Sequence, residues 1–380
     1  MNLVTPSRRC DVLFRADASI DIGTGHIMRC LTLADMLSEA GFECGFVCRA
    51  HRGNLIGLIR HRGFPVAELP LEVNGEKPND GKLAHAHWLG VDWQTDARQT
   101  VAAIGNVRPD WVVVDHYALD IRWERFLRSS CRYLMVLDDL ADREHDCDLL
   151  LDQSLGRVAS DYQPLTPANC QIRAGAHFAL LRPQFVQRRS DSLARRRQTV
   201  PCRLLVTLGG VDKDNVTSRV LSALERCTLP DRAEITVVMG QHAPWANAVR
   251  ENAAQLRWKT RVLSNVDDMA SLMAEADLAI GAAGSTSWER CALGVPTILM
   301  VLAENQREVA QRLAAEGAAV LAELGSGFDS TFGGIVEGLI WNKAALEAMS
   351  SRAATICSGE GGLEVAREVA NRHLSSARSI

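Results

Sequence analysis

FRADASIDIGTGHIMRCLTL, residues 14–33, decides the fold, because it takes a buried strand into a glycine loop and out into a helix. The run from Asp11 to Ala16 is a short apolar strand, and Asp17 to Gly25 is a loop because aspartate and glycine cluster there. From Ile27 onward, Leu31, Ala34, Met36 and Leu37 fall at helical spacing, which puts His26 at the helix N-terminus. Partial positive charge and free N–H groups at such a terminus disfavour an imidazolium, so the ring suits a general base. Gly23-Thr24-Gly25 invites a dinucleotide reading, but Met28 occupies the place of a third glycine. Taken alone, the loop is equally a tight turn with a histidine capping the helix.

The alternation continues beyond it. Phe42–Cys48 is a second strand, Asn54–His61 a helix and Phe64–Leu69 a third strand, a pattern that predicts a parallel, doubly wound sheet with functional loops at the strands' carboxyl ends. Leu71–Gly90 is polar and broken by proline and glycine, so it reads as an exposed loop before the helix Trp93–Gly105. Its His85 and His87 read as solvated side chains rather than metal ligands. Trp111–Tyr117 is a buried strand whose end presents Asp115, His116 and Tyr117 at the edge carrying His26. An aspartate or tyrosine there can orient a histidine or bind sugar hydroxyls, or else cap a helix. Tyr133–Leu137 runs into Asp138 and Asp139, and because neighbours on extended backbone point apart, one of the two faces the site.

Cys147–Asp152 is a further strand, and Phe178–Arg182 closes this half. The arginine-rich stretch that follows, Arg188 to Arg197, reads as a solvated helix and linker. The expected organisation is therefore a first domain over 1–185, a linker over 186–202, a second domain over 203–350 and a helical segment over 351–380. The second half opens as the first did: Leu204–Leu208 is a strand, Gly209-Gly210 a tight turn and Asn215–Leu224 a helix. Ala276–Ile280 leads into Gly281-Ala-Ala-Gly284-Ser285-Thr286-Ser287 and a new helix, the strongest nucleotide signal in the chain. Small residues there admit a diphosphate to the backbone, and Glu289 can accept from both ribose hydroxyls. Asn305 and Gln306 are either polar contacts to a ligand or a helix cap and its neighbour.

At 380 residues the chain is long for one domain, so two domains sharing a cleft are expected. A net charge of −4 gives no sign of a nucleic-acid partner. The eleven cysteines are scattered, without CxxC pairs, and read as reduced, semi-buried side chains; structural zinc is not expected. The first ten residues lack the apolar core of a signal peptide, and no segment approaches the roughly 20 apolar residues of a membrane span, so the expectation is a cytoplasmic enzyme that binds no membrane.

In order and spacing, RADAS (15–19), IGTGHIMRCLTLADML (22–37), VVVDHY (112–117), LDDLADREHDCDLLLDQ (137–153), FALLRPQF (178–185), LVTLGGVDKDN (205–215) and AIGAAGSTSWERCALGVPTI (279–298) resemble the UDP-2,4-diacetamido-2,4,6-trideoxy-β-L-altropyranose hydrolases. These are the nucleotide-sugar hydrolases of pseudaminic acid biosynthesis. The order GxxGSxxWExxxxGxP also resembles the UDP-binding signature of two-Rossmann-domain sugar transferases. The resemblance implies two Rossmann-like, doubly wound α/β domains of GT-B type, a last helix returning to the first domain, and hydrolysis of the nucleotide sugar at C1 with inversion.

It further implies His26 as the base, with Arg15, Asp17, Gly25, Arg29, Asp115 and Tyr117 about the sugar or diphosphate. Gly209, Gly210, Gly284, Ser285, Thr286, Glu289, Asn305 and Gln306 would hold the nucleotide. No metal or cofactor is needed in that scheme, the partner is a small nucleotide sugar, and enzymes of this type can work as monomers. The chain departs from the family pattern at Ser154, where asparagine is expected, and at Glu360 and Glu364, in a stretch that often carries basic residues. The rivals are a UDP-sugar glycosyltransferase of the same fold and a non-catalytic nucleotide-sugar-binding module.

Overall fold

A computed structural model describes residues 10–71, 83–198, 200–240, 243–264 and 266–377. The chain divides into two units, Met1–Leu180 with Gly361–Ile380, and Leu181–Glu360. In the first unit the strands are β1 (Val12–Ala16), β2 (Cys44–Arg49), β3 (Val66–Leu69), β4 (Trp111–Asp115), β5 (Tyr133–Leu137), β6 (Leu149–Asp152) and β7 (Gln171–Ala174). They form one parallel sheet in the order β3-β2-β1-β4-β5-β6-β7. Its helices are α1 (Gly25–Glu39), α2 (Ile56–His61), α3 (Trp93–Ile104), α4 (Ile121–Leu127) and the short α5 (Ala159–Tyr162).

The apolar strand runs are continuous because both faces of the sheet are covered. Side chains alternate across it. Val12 and Phe14 of β1 and Trp111 and Val113 of β4 face α1. Leu13, Val112 and Val114 face Ala97 and Ile104 of α3 and Trp123 and Leu127 of α4.

The second unit holds α6 (Pro183–Gln198), then β8 (Arg203–Thr207), α7 (Val216–Glu225), β9 (Glu234–Met239), α8 (Ala246–Gln255), β10 (Lys259–Ser264) and α9 (Met269–Glu275). β11 (Leu278–Ala282), α10 (Thr286–Ala292), β12 (Thr297–Met300), α11 (Arg307–Ala315), β13 (Val320–Leu321), α12 (Phe328–Ile340) and α13 (Lys343–Ile356) follow. The sheet order is β10-β9-β8-β11-β12-β13, again all parallel. In both sheets the first strand lies between the second and the fourth, the point at which a doubly wound sheet opens a crevice at its carboxyl edge. The last helix, α14 (Gly361–Ala377), belongs to the first unit and buries Val365 and Val369 on the α1 face of its sheet.

The arginine-rich stretch is a helix of the second unit rather than a linker, with Arg188 and Arg197 exposed and Arg189 and Arg196 bonded within the protein. It is α6, packed against α9, α10 and α13 within the second unit. Arg196, 8% exposed, donates to the carbonyls of Gly294, Ala276 and Met273. Arg189 donates to those of Ala292, Ala354 and Cys357. These are mostly last-turn carbonyls of helices, which lack intrahelical partners and attract cations. The arginines are there for the neighbouring helix ends, so the second unit begins ahead of the expected linker.

Candidate active site at the carboxyl edge of the first sheet

The loop after β1 delivers His26 as the second residue of α1, and the end of β4 delivers Asp115. β1 and β4 are adjacent, with Ala16 beside Asp115, so the two side chains meet across the strand ends. His26 Nδ1 lies 2.5 Å from Asp115 Oδ1. Arg29, one turn further along α1, grips the same carboxylate with two bonds, Nε to Oδ2 at 2.6 Å and Nη2 to Oδ1 at 2.7 Å. Its remaining nitrogen reaches Asp139 Oδ2 at 2.5 Å, which also accepts from the Tyr117 hydroxyl at 2.7 Å.

Burial pushes the Asp115 carboxyl up, but the Arg29 guanidinium, then His26, outweigh it and hold it well below the usual carboxylate range. An ionised Asp115 can only accept, so the proton of a neutral His26 sits on Nδ1. Nε2 is left with its lone pair and has no partner among the described residues.

A second polar shell lies behind this one. Asp138 points away from Asp139, to Arg143 at 2.7 Å and to the Tyr162 hydroxyl at 3.0 Å. That hydroxyl also meets Asp152 Oδ2 at 2.8 Å. One hydroxyl proton cannot serve two carboxylates. Burial first, and the charge of Asp139 second, push the Asp152 carboxyl up to about 7, so of the two carboxyls Asp152 is the one that takes up a proton first as pH falls.

Two of the expected ligand-binding residues are buried instead. Arg15 is fully buried and committed to Asp96, at 3.1 and 2.6 Å, and to Asp17 at 2.7 Å. Asp17, also fully buried, accepts from the Arg49 backbone N–H at 2.6 Å. With Arg49 and Asp96 they form a neutral group of two cations and two anions, which is why such charges can be buried. Arg29 and Asp115 are likewise committed to protein partners, whereas Gly25 opens α1 directly before His26.

Of the loop expected to be exposed before α3, residues 72–82 lie outside the described residues, and the part from Leu83 to Gly90 is mostly half-buried. A single 3₁₀ turn, Ala86–Leu89, sets Trp88 with its ring centroid 5.8 Å from that of Tyr117 and 6.4 Å from that of His26. His85 is half-buried, 4.3 Å from the Trp88 ring, and burial lowers its pKa; His87 is exposed. Tyr117 stands edge-on to His26 at 4.7 Å. The aromatic sequence HAHWLG was the available signal, but nothing local says that it folds back onto a strand end.

In the second unit, β8 and β11 are neighbours, so Gly209 and Gly210 lie at the same sheet edge as Gly284, Ser285 and Thr286. Gly210 packs so close to Gly240 that a Cβ on the latter would sit 2.0 Å from the Gly210 carbonyl oxygen. Asp212 closes the first turn of α7 by accepting from the Val216 and Thr217 N–H groups, both at 2.9 Å. Arg290, 1% exposed, holds the β11–α10 turn from beneath, donating to Ala282 O at 2.7 Å, Ser287 Oγ at 3.1 Å and Thr286 Oγ1 at 3.2 Å. Gly281 makes room for it, since a Cβ there would lie 2.5 Å from Arg290 Nη1.

Glu289 is half-buried, 3.8 Å from Arg182, and burial raises its pKa against that neighbour's charge. Gln306 lies beside Gly284 but spends its carbonyl on the Leu302 N–H at 3.0 Å. Asn305 falls in the 3₁₀ turn Glu304–Gln306, and its side chain lies outside the described residues. Among the described residues, no cluster of His, Cys, Asp and Glu is arranged to hold a metal ion, and no helix is long and apolar enough to cross a membrane.

Residues 203–326 match the glycosyltransferase family 28 C-terminal domain. Over 306 residues, 80% of this chain and 97% of the relative, the chain is 26% identical to a UDP-2,4-diacetamido-2,4,6-trideoxy-β-L-altropyranose hydrolase of Campylobacter jejuni. It is 32% identical to the Bacillus subtilis spore coat polysaccharide biosynthesis protein SpsG over 41% of this chain and 45% of that one. Among solved structures, MurG of Acinetobacter baumannii superposes with a TM-score of 0.66 at 18% identity, covering 96% of this chain and 100% of that one. A UDP-N-acetylglucosamine 2-epimerase does so with a TM-score of 0.58 at 12% identity, covering 98% and 97%. These likenesses establish the fold as that of GT-B glycosyltransferases and epimerases, two parallel-sheet α/β units.

Proposed function

We propose that the protein hydrolyses a UDP-linked diacetamido-trideoxyhexose, the substrate named for the Campylobacter relative, releasing UDP and the free sugar. The observation that carries this reading is His26, held through Nδ1 by an ionised Asp115 with Nε2 left to take a proton. In the proposed reaction, water attacks C1 of the sugar as Nε2 accepts its proton. The bond from C1 to the phosphate oxygen breaks on the opposite face, its electron pair leaves with UDP, and the anomeric configuration inverts. Arg29 and Asp139 keep the Asp115 carboxylate and Tyr117 in register with His26, as positioning groups.

The second unit's Gly209, Gly210, Gly284, Ser285 and Thr286 present backbone N–H groups to the diphosphate, which stabilises the departing charge. Glu289 takes the ribose hydroxyls, and Gln306 shapes the loop beside Gly284. The glycosyltransferase family 28 match over the second unit favours one alternative, transfer of the sugar to an acceptor.

The experiment is proton NMR of the protein with UDP-2,4-diacetamido-2,4,6-trideoxy-β-L-altrose, with neither acceptor nor metal added. Prompt UDP release with the inverted anomer is expected. His26→Asn should retain UDP binding and lose about 100-fold or more in turnover, and Asp115→Asn should fall in the same direction through the wrong tautomer. Release only after an acceptor is added would replace the hydrolase with a transferase, and full turnover by His26→Asn would remove His26 as the base.

A further inference from the structure

Among the described residues, three tryptophans give the indole N–H to an acceptor, whereas that of the buried Trp111 has none. Trp123 is fully buried and gives its indole N–H to Asp96 at 3.0 Å. The surface residues Trp245 and Trp341 give theirs to the carbonyls of Lys213, at 2.8 Å, and Thr228, at 2.9 Å. Trp88 is half-buried, and its N–H has no acceptor among the described residues. It also touches the ring of the candidate base edge-on, at 6.4 Å and an interplanar angle of 77°.

Trp88, Tyr117 and His85 form one ring cluster: Trp88 stacks on Tyr117 at 5.8 Å with 26° between the planes, and His85 lies 4.3 Å from Trp88 and 5.5 Å from Tyr117. His87 meets Trp88 edge-on at 6.2 Å, and His26 is 4.7 Å from Tyr117. Tyr117 cannot move aside, because it is 6% exposed and its hydroxyl is tied to Asp139. The indole is thus stacked on a fixed ring, its centroid 6.4 Å from that of His26, with an N–H that has no acceptor among the described residues.

We propose that Trp88 is a sugar-binding platform that selects, at the position facing His26, a hexose with an apolar face and an N-acyl carbonyl. The inference rests on the reading of the site as a nucleotide-sugar hydrolase and names the residue that chooses its sugar. A flat indole takes the C–H face and a 6-methyl group of a deoxy sugar, and its N–H is a donor for an acetamido carbonyl; a sugar rich in hydroxyls offers that surface less. His85 acts behind it, as a positioning residue that holds the indole against Tyr117.

The test is calorimetry on the full chain carrying His26→Asn, so that the sugar nucleotide persists during titration. Its affinity for UDP-2,4-diacetamido-2,4,6-trideoxy-β-L-altrose and for UDP alone is measured with Trp88 intact, with Trp88→Ala and with Trp88→Phe. Trp88→Ala is expected to weaken the sugar nucleotide about tenfold or more while leaving UDP within about twofold, and Trp88→Phe, which keeps the apolar face but lacks the N–H, to recover part of the loss. An unchanged sugar-nucleotide affinity in Trp88→Ala overturns the platform, and so does an equal loss for UDP, which would mark a packing role only. Strong, Trp88-dependent binding with no hydrolysis by the native chain would leave the platform standing and remove the hydrolase; hydrolysis with Trp88-independent binding would do the reverse.

Discussion

Asp152 is the carboxyl group whose protonation state most affects the network behind His26. It accepts the Ser154 N–H at 2.6 Å and faces the Tyr162 hydroxyl, which passes its own proton to the ionised Asp138. Its pKa stands near 7 in the folded chain and near 4 in an unfolded one. Between those values the folded state binds the extra proton, so the contribution of Asp152 to stability is present below about pH 4 and is lost as pH rises through 7. Asp152→Asn keeps the acceptor for Ser154 and gives Tyr162 a permanent donor. The stability of Asp152→Asn relative to the native chain should therefore rise between pH 5 and pH 8, by a few kcal/mol at about 1.4 per pKa unit. Urea denaturation across that range measures it, and parallel pH profiles for the two proteins would refute the assignment. Nothing in LDDLADREHDCDLLLDQ announces this shift, since it depends first on burial and then on the charge of Asp139, which only the fold brings near. Arg15 and Asp17 were misleading for the same reason: their partners Asp96 and Arg49 come from other elements, and a charged pair in sequence looks alike whether it meets a ligand or a buried counter-ion.

Elements were legible where they are long and apolar on both faces. β1, β4, β5, β8 and β11 lie where the apolar runs put them, because a central parallel strand is buried on every side and writes this into consecutive residues. Two of the sheet edges were not legible. β7 reads QIRA, half-buried or exposed along its length, and β13 has two residues, so neither carries a periodicity. The β11–α10 turn joins a legible strand to a less legible site: the small residues show in sequence, whereas the Arg290 clamp beneath them shows only in the fold. If Glu289, at the start of α10, reads the ribose, Glu289→Gln should weaken UDP binding by about tenfold, since bonds to a charged acceptor are each worth roughly 1.5–3 kcal/mol. The same variant should no longer distinguish UDP from 2′-deoxy-UDP, while the native chain does. Calorimetry with both nucleotides decides it, and a native chain indifferent to the 2′-hydroxyl would end the assignment.

For the whole molecule, the consequence of the topology is that the first unit is built from both ends of the described chain. α14 buries Val365, Ala366 and Val369 against the face of the sheet that α1 covers. Arg173–Glu368 at 2.8 Å and Arg372 Nη1 to Asp148 O at 3.2 Å fix it at the edge strands. Gly361 starts the helix so close to the turn after β7 that a Cβ would sit 2.1 Å from the His177 carbonyl oxygen. The helix was visible in the sequence as a helical segment, but its return to the first unit was expected from the resemblance alone, because periodicity does not encode a long-range pairing. Burial of those side chains is worth on the order of 5 kcal/mol, comparable with the whole stability of many domains. Ending the chain at Glu360 should therefore unfold the first unit while sparing the second, whose core over β8, β11 and α12 contains no residue of α14. Hydrogen exchange read by mass spectrometry would show β1 and β4 losing protection while β8 and β11 keep theirs. Retained protection in β1 and β4 would mean that α1 alone seals that face of the sheet, and equal loss in both units would mean that the two units fold as one.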